Sequence, residues 1–306
     1  MRSPSPGGRL TGPAGGTVLA VDIGGTKLAA GLVDAAAGRI LTRAALPTPR
    51  TDDGEIVFAA LVGLFERLGP GRAEVRLCGV GSGGPMTAGG ETLTPVHIPA
   101  WTAFPLRRRL EEVTGLPVFV DNDAKAVALG EGWVGAAAGV PAYIGMVVST
   151  GIGGGIVLDG RLLDGRAGNA GHIGHVVVEP DGRPCFCGGR GCLEGEASGR
   201  AIEAVTGRPA AEAGPEVVRR TGTLVGRAVA SVANLLDLGL AVVAGSVALG
   251  FGDPFFAAAQ AEIDARARLD FSRGTRIRPA GLGADAPLVG AAAVALHGAG
   301  RLPCCP

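Results

Sequence analysis

The sequence predicts an α/β protein built from two related domains with a cleft between them. Each half of the chain opens with a strand, a glycine-rich turn and a second strand, TVLAVDIGGTKLAAGLVD from Thr17 and AYIGMVVSTGIGGGIVLDG from Ala142. Strands and helices then alternate in both halves, which is typical of α/β folds. The composition indicates a folded chain, because 306 residues that are 47% hydrophobic can bury a core despite 54 glycines and 21 prolines.

The charge and the cysteine content narrow the class of protein. The 28 basic and 28 acidic residues cancel, so no global field favours nucleic acid or an anionic membrane. Six cysteines are too few for a disulfide-stapled secreted scaffold of this length. The most apolar stretch, 229–249, contains polar residues and glycines, which predicts a helix and a strand rather than a membrane span. We therefore expect a cytoplasmic protein without a nucleic-acid or membrane partner.

The first predicted domain, residues 17–121, follows from the spacing of its apolar residues. Residues 1–16 are half glycine or proline, so we expect a flexible tail ahead of it. Apolar runs predict strands, and apolar residues three or four apart predict helices. In chain order the predicted elements are a hairpin over 17–34, a helix within 52–67, the strand VRLCGVGS, a helix over 104–114 and the strand VFV.

The second predicted domain, residues 122–287, begins with a polar corner and a helix. A second hairpin, a loop rich in histidine, cysteine and glycine, and a helix followed by a buried strand come next. An alanine-rich helix at about 288–303 is expected to return to the first domain. The corresponding sequences are VDNDAKAVALGEG, AYIGMVVSTGIGGGIVLDG, HIGH through CFCGGRGCLE, RAVASVANLLDLGLAVVAG and APLVGAAAVALHGAG.

The turn of the first hairpin is a candidate phosphate-binding site. It runs from Asp22 to Lys27 and contains Gly24, Gly25 and Thr26. Glycines let backbone N–H groups approach an anion closely, which suits a polyphosphate in a chain without a Walker sequence. Asp22 could hold Mg²⁺ directly or through water. An ordinary hairpin turn is the alternative interpretation.

Two later glycine turns are further candidates for nucleotide binding. STGIGGG follows a strand in the second half and could face the first turn across the cleft. AGS, after the strand LAVV, could pack against an adenine ring, although a strand-to-helix turn explains it equally well. The candidate residues of the two turns are Thr150, Gly151, Gly153, Gly154 and Gly245.

The polar corner Asp121, Asn122 and Asp123 lies where a strand ends and a helix begins. A carboxylate at such a corner of an α/β cleft is well placed to accept a proton from a substrate hydroxyl. Asn and Asp are also the usual residues at a helix N-cap, so capping is the competing interpretation.

The most specific pattern is one histidine and three cysteines within eighteen residues, His175, Cys185, Cys187 and Cys192. These residues match a tetrahedral zinc site of one imidazole and three thiolates. A site with four protein ligands and no open position is structural. A disulfide is the alternative, and it would leave one of the three cysteines unpaired.

Taken together, these motifs resemble the ROK family of bacterial sugar kinases and sugar-responsive repressors, which belong to the actin-like (ribonuclease H-like) ATPase superfamily. The resemblance runs from about Val18 to about Ala295. AVDIGGTKLAAGLVD is similar to the family's phosphate motif, VDNDAKAVALGE to its catalytic segment, and STGIGGG through CFCGGRGCLEGEASG to its signature and zinc motif. It implies two actin-like domains, ATP with Mg²⁺ as the phosphoryl donor, and a structural Zn²⁺.

The resemblance also implies roles for individual residues. Asp123 corresponds to the catalytic base that takes the proton of a sugar 6-hydroxyl as this attacks the γ-phosphate. His175 would bind both the sugar and zinc. The positions that correspond to sugar contacts are Gly84, Asn122, Asp123, His175 and Glu194.

The chain departs from the family pattern at two positions. Most members carry Glu where this chain has His172, so a different sugar substituent should be favoured there. AGHIGH, DIGGTKLAA and LPTP are similar to family members that phosphorylate N-acetylmannosamine, which we take as the favoured substrate, with glucose as the alternative. Lys125 replaces a common Asn, and we expect little catalytic consequence because it points away from Asp123.

Two further expectations concern assembly and class. The family resemblance suggests a homodimer or homotetramer. A sugar-responsive transcriptional regulator is the alternative of a different class. Such relatives carry a winged-helix DNA-binding domain, for which the Pro- and Gly-rich residues ahead of Thr17 give no pattern.

Overall fold

The fold contains two five-stranded sheets in a computed structural model that describes residues 16–69, 71 and 74–302. The predicted tail, except Gly16, and the Cys304–Cys305 pair lie outside the described residues. The first half contains β1 (Thr17–Ile23), β2 (Lys27–Asp34), β3 (Ile40–Pro47), α1 (Gly54–Glu66), β4 (Val75–Ser82), α2 (Leu106–Thr114), β5 (Val118–Asn122) and α3 (Asp123–Val134). The second half contains β6 (Tyr143–Val148), β7 (Ile152–Leu158), β8 (Arg161–Leu162), α4 (Leu193–Ala197), α5 (Gly199–Thr206), α6 (Pro215–Leu236), β9 (Leu240–Ala244), α7 (Ser246–Phe251), α8 (Asp253–Arg266), β10 (Arg276–Pro279) and α9 (Ala286–Gly298).

The two sheets have the same topology. The first has the order β3-β2-β1-β4-β5 and the second the order β8-β7-β6-β9-β10. In each, the first three strands are antiparallel neighbours, and the next two join in parallel. The predicted hairpins are β1–β2 and β6–β7. The expectation of two related α/β halves is therefore confirmed, whereas the exact bounds of the two domains stay a prediction.

Two helices, α3 and α9, lie between the sheets. α9 packs on β1 and β4, α3 packs on β6 and β7, and the two helices pack against each other. Glycines allow the close approach: a Cβ atom at Gly130 of α3 would lie 3.0 Å from the Cα atom of Gly290 in α9. A Cβ atom at Gly145 of β6 would lie 2.6 Å from the Cα atom of Ala128. The helix that begins at the polar corner is thereby held against both halves.

A buried carboxylate fixes the far end of α3. Glu131 is fully buried, and its oxygens accept three backbone N–H groups, from Ala136 at 2.7 Å, Gly281 at 2.9 Å and Leu282 at 3.0 Å. A buried charge is tolerated when it is hydrogen-bonded in this way. These bonds join α3 to the segment that leads from β10 to α9.

The closing helix differs in its bounds from the prediction. It begins at Ala286, two residues earlier than expected, and ends at Gly298. Gly300 has a φ of 65°, which is incompatible with a continuing helix. Among the described helices, none has the combination of length and apolar character that crossing a bilayer requires.

Candidate active site

The polar corner, Asp121 to Asp123, lies where β5 passes into α3. The side chain of Asn122 accepts the Ala124 N–H at 3.0 Å and is the N-cap of α3. Asp123 is the first residue of the helix, and its Oδ1 accepts the same N–H at 2.8 Å. Asn122 therefore caps the helix, and Asp123 lines a cavity, so its role as a proton acceptor stays a prediction.

The first glycine turn lies at one side of this cavity. It is closed by the Gly24 N–H, which donates to the Lys27 carbonyl at 3.0 Å. Thr48 braces the turn, since its hydroxyl donates to the Gly24 carbonyl at 2.6 Å. Gly25 packs so closely on His97 that a Cβ atom would collide with the histidine Cβ. The turn thus has a fixed shape and brings His97 to the cavity.

The second glycine turn joins β6 to β7. The Ser149 N–H donates to the Gly151 carbonyl at 2.9 Å, and the Ser149 hydroxyl lies 2.9 Å from that of Ser246 at the start of α7. A Cβ atom at Gly151 would lie 2.7 Å from Glu194 Oε1. Glycine at this position therefore leaves room for the carboxylate of α4.

One cavity of about 670 Å³ collects most of the predicted site residues. It lies between the halves, because both glycine turns and the polar corner line it. The predicted residues in its lining are Gly24, Gly25, Gly84, Asn122, Asp123, Thr150, Gly151, Gly153, His172, His175 and Glu194.

Five predicted nucleotide-binding residues, all described by the structure, lie outside this lining: Asp22, Thr26, Lys27, Gly154 and Gly245. Gly154 is inside β7, where it packs against Gly171 and Ile173. Gly245 has a φ of 102° and packs on the Val148 backbone, so a Cβ atom there would collide with that strand. Close packing accounts for these two glycines.

A second cavity of about 310 Å³ adjoins the first. Thr150 and Arg200 line both cavities. The second cavity is otherwise formed by α5, the segment after it and α7, including Ser246 and Phe251. Arg200 therefore stands at the boundary between the two spaces.

Carboxyl groups around the cleft have raised pKa values. Burial, followed by the nearby Asp123, raises the pKa of Asp22 to about 7, while Lys27 opposes this rise. The enclosing cleft walls desolvate Asp123 and raise its pKa, although the Ala124 N–H and the imidazoles of His97 and His172 lower it. The protonation of these carboxyl groups therefore depends on the cations and anions that enter the cleft.

Glu194 belongs to the same cluster of charges. Burial raises the pKa of its carboxyl group, the Ile152 N–H and Arg200 lower it, and Asp123 raises it again. Its Oε2 lies 3.7 Å from His175 Nε2. Glu194 and His175 therefore form a polar wall of the cavity on the side of α4.

The four predicted metal ligands converge beside this wall. One donor atom from each of His175, Cys185, Cys187 and Cys192 lies within 4.8 Å of the others. Cys187 Sγ is 3.7 Å from Cys192 Sγ, and Cys185 Sγ is 3.8 Å from His175 Nδ1. A tetrahedral metal with bonds of about 2.3 Å to sulfur separates its ligand atoms by about 3.8 Å.

The donor set therefore fits zinc, and the disulfide alternative does not hold, because the three cysteines are free. Burial and the neighbouring sulfurs raise the pKa of the Cys192 thiol to about 12. Three sulfurs gathered this closely call for a cation that stabilises the thiolates. His175 presents Nδ1 to the sulfurs and Nε2 to Glu194, so one ring links the cluster to the cavity.

Several polar and aromatic cavity residues were not predicted from the sequence, among them His97, Asn169, Phe186 and Arg200. The chain has only four histidines, and three of them line this cavity, so their scarcity was a usable signal for His97. Phe186 is 66% exposed and its ring centroid lies 5.5 Å from that of His175. An exposed aromatic ring at a cavity is typical of a ligand contact. We find no sequence signal for Arg200.

The two halves and the cleft between them have the actin-like ATPase fold, and sugar kinases are among its solved members. The chain belongs to the ROK family, because the sequence model of that family matches residues 18–297. It is a sugar kinase. The N-acetylmannosamine kinase of Citrobacter koseri is 40% identical over 253 residues, which are 77% of this chain and 85% of that protein.

Solved structures of related kinases have the same fold. A ROK hexokinase from Thermus thermophilus is 36% identical, with a TM-score of 0.78, over 92% of this chain and 98% of that one. A ROK family glucokinase from Streptomyces griseus, in complex with glucose and AMPPNP, is 32% identical, with a TM-score of 0.77, over 92% of this chain and all of that one (100%).

Proposed function

We propose that this sugar kinase transfers the γ-phosphoryl group of ATP to the 6-hydroxyl of a hexose or N-acetylhexosamine, with N-acetylmannosamine as the favoured substrate. One observation carries the proposal: the carboxyl group of Asp123 shares a single cavity with two backbone turns and with a wall of histidine and glutamate side chains. The relatives that phosphorylate sugars support the same substrate class.

Asp123 is the proposed general base. The sugar hydroxyl oxygen forms a bond to the γ-phosphorus, the bond from phosphorus to the bridging oxygen of the β-phosphate breaks, and ADP leaves. The hydroxyl proton passes to the Asp123 carboxylate. The raised pKa of Asp123 makes it a better proton acceptor than an ordinary aspartate at neutral pH. Phosphoryl transfer otherwise needs positioning and charge neutralisation.

The backbone of the two glycine turns and Arg200 would hold the phosphates. The turns lie at the cavity that contains Asp123, and Arg200 lies at the boundary with the second cavity. The second cavity, next to Ser246, would take the adenosine. Mg²⁺, when bound, neutralises phosphate charge, and Asp22 would hold it through water, since Asp22 does not line the cavity itself.

His175, Cys185, Cys187 and Cys192 would hold a structural Zn²⁺. The ion would supply positive charge that stabilises three thiolates, and a site with four protein ligands is structural. The loop that it closes carries Phe186 and ends at α4, which carries Glu194. Zinc bound there would order one wall of the cavity of about 670 Å³, called the sugar cavity from here on, without entering the reaction.

His172 is the proposed specificity residue. Its side chain lines the cavity, with its ring centroid 6.1 Å from that of His175. An imidazole can donate one hydrogen bond to an acetamido carbonyl, which a carboxylate cannot do. The exposed Phe186 ring and Val96, both in the lining, give apolar surface for the methyl group of an N-acetyl substituent.

The test is an ADP-release assay with N-acetylmannosamine, N-acetylglucosamine, glucose and fructose, in which kcat/KM is compared. We expect N-acetylmannosamine to give the highest value. Glucokinase activity is the alternative, favoured by the glucose complex of the Streptomyces griseus relative. A clear preference for glucose would contradict the proposed role of His172 in favouring an N-acetyl sugar. Absence of activity on all four sugars would contradict the proposed function.

A further inference from the structure

Lys125 is a buried cation that the proposed reaction does not use. Its side chain is only 2% exposed, although lysine is rarely buried without a partner. Its ammonium has three acceptors: Asp164 Oδ1 at 2.8 Å, Asp121 Oδ1 at 3.1 Å and the Gly168 carbonyl at 3.2 Å. Because an ammonium has three donors, these contacts use its full hydrogen-bonding capacity.

One of the three contacts, to Asp121, supports the polar corner that contains the proposed base. Asp121 precedes Asn122 and Asp123, and its Oδ1 also accepts the Asn122 N–H at 2.7 Å. Lys125 lies one turn further along α3. The same carboxylate oxygen thus joins the lysine to the backbone of the corner.

The other two contacts reach a glycine-rich loop, residues 164–171, that leads to His172. Gly165, Gly168 and Gly171 have φ angles of 71°, 81° and 100°. Glycine-rich backbone has a high conformational entropy, so such a loop needs anchors to keep one shape. The loop carries Asn169, which lines the sugar cavity together with His172.

The loop has few other anchors. Within it, the Ala170 N–H donates to the Asp164 carbonyl at 3.0 Å, and the Asn169 side chain donates to the Ala167 carbonyl at 3.0 Å. Both bonds are internal to the loop. Gly171 packs on the backbone of Gly154 at the end that leads to His172. Lys125 is therefore the side chain that joins the middle of the loop to α3.

The charges of Asp121 and Asp164 make the position of the loop more dependent on Lys125. Without the lysine, Asp121 and Asp164 would face one another as two carboxylates, and a buried carboxylate without its partner is strongly destabilised. Asp164 is 61% exposed, so its own contribution is screened by solvent. The lysine should accordingly matter more than Asp164.

We propose that Lys125 is a positioning residue. It holds loop 164–171 and thereby fixes His172 and Asn169 in position relative to the polar corner. The inference rests on the proposed function, because it assigns those two residues to the sugar. It concerns sugar binding and leaves the nucleotide cavity unaffected, since no residue of the loop lines that cavity. The sequence-based expectation of little catalytic consequence then applies to the chemical step alone.

The experiment compares Asp164→Ala, Lys125→Met and the control Arg166→Ala in the full chain. Arg166 is an exposed residue of the same loop. We expect Asp164→Ala to raise the sugar KM about threefold to tenfold with the ATP KM within twofold, and Lys125→Met to raise it more. Asp164→Glu should restore part of the loss, and Arg166→Ala should behave as the parent.

Amide hydrogen exchange of the 164–171 peptide gives a readout without substrate. Exchange should be faster in Asp164→Ala and Lys125→Met than in the parent and in Arg166→Ala, with the Ala170 amide included. Unchanged exchange, or an equal rise of the sugar and ATP KM values, would overturn the inference. If exchange is faster in the two variants but the parent phosphorylates no sugar, the anchoring of the loop holds and the proposed function fails. If Lys125→Met does not fold, Asp164→Ala still decides.

Discussion

At the scale of single residues, the role proposed for Asp123 requires an ionised carboxyl group in a cleft that disfavours its charge. The cleft walls raise its pKa, and the N–H of Ala124 together with His97 and His172 lowers it. The helix N-terminus adds its own favourable field for an anion. The balance leaves a carboxyl group that is more basic than that of an ordinary aspartate.

Asp123→Asn tests the general base directly. Asparagine cannot accept the hydroxyl proton, so kcat should fall about 10²- to 10⁴-fold, while the ATP KM changes little. The melting temperature should stay the same or rise, because the variant removes a desolvated carboxyl group. Steady-state kinetics and thermal unfolding measure the two effects. Near-normal turnover in a folded Asp123→Asn enzyme would exclude this residue as the base.

The pH profile tests the charge around Asp123. An imidazolium at position 97 favours the carboxylate, so His97→Gln should raise the pKa of Asp123 and move the acid limb of kcat/KM to higher pH. His297→Gln is the matched control, because His297 lies in α9 and lines neither the sugar cavity nor the second cavity. An acid limb that stays in place, or moves to lower pH, would contradict the assignment.

Asp22 gives a prediction on stability. Its folded pKa of about 7 lies above the ordinary value of 3.8, so the folded state binds more protons than the unfolded state between these values. The free energy of unfolding should therefore fall as the pH rises from about 4 to 7, relative to that of Asp22→Asn. Urea unfolding of both proteins across this range, without metal, measures the difference. Parallel curves would show that Asp22 titrates normally.

At the scale of elements, the cysteine loop is built around one cluster of four side chains, two of which, Cys185 and Cys192, are buried. Cys187 is exposed, and Gly188, with a φ of 88°, lets the chain turn beside it. A Cβ atom at Gly189 would lie 3.4 Å from Cys187 Sγ and 3.5 Å from Cys192 Sγ. The loop is thus shaped around its sulfurs, and it presents Phe186 to the sugar cavity.

Cys187→Ala should therefore lower the melting temperature and raise the sugar KM together, while the ATP KM changes less. Removing one of four ligands weakens a structural zinc site and loosens the loop with it. A zinc chelator should have the same effect on the parent and little further effect on the variant. Metal content, thermal unfolding and kinetics are the measurements. A variant with full metal content and unchanged sugar KM would contradict a zinc-ordered wall.

The motifs were predictable because each has a local signature. The glycine turns, the polar corner and the Cys/His spacing all lie in short segments, and the structure brings most of them to one cavity. His97 and Arg200 reach that cavity from elements with no such signature. Gly154 and Gly245 show why a glycine motif does not identify its own role. Close backbone packing and phosphate binding both select glycine, so the two look the same in a sequence.

At the scale of the whole molecule, the two halves share a strand order that their sequences hardly show. Only the two hairpins were visibly similar, because the rest of each sheet keeps its topology with different side chains. The pairing of β4 and β5 with β1, and of β9 and β10 with β6, depends on contacts distant in sequence. The closing helix α9 was predicted as a link, but its crossing with α3 was not.

That crossing gives a prediction for the whole molecule. A Cβ atom at Gly290 would lie 2.5 Å from the Ala126 carbonyl oxygen, so Gly290→Ala should push α9 and α3 apart. Overpacking of this kind costs about 1–3 kcal/mol of unfolding free energy. Because α3 carries Asp123 and contacts both sheets, kcat should fall as well. Denaturant unfolding and kinetics measure both.

Gly63→Ala is the matched control. Gly63 also lies inside a helix, α1, but a Cβ atom there meets nothing within 4 Å. Alanine lowers the entropy of the unfolded chain and favours the helix, so this variant should be more stable than the parent by up to about 1 kcal/mol, with unchanged kcat. If Gly290→Ala lowers the free energy of unfolding and Gly63→Ala raises it, the loss comes from the contact between α3 and α9. If Gly290→Ala were as stable and active as Gly63→Ala, the α3–α9 crossing would not govern how the two halves hold the active site.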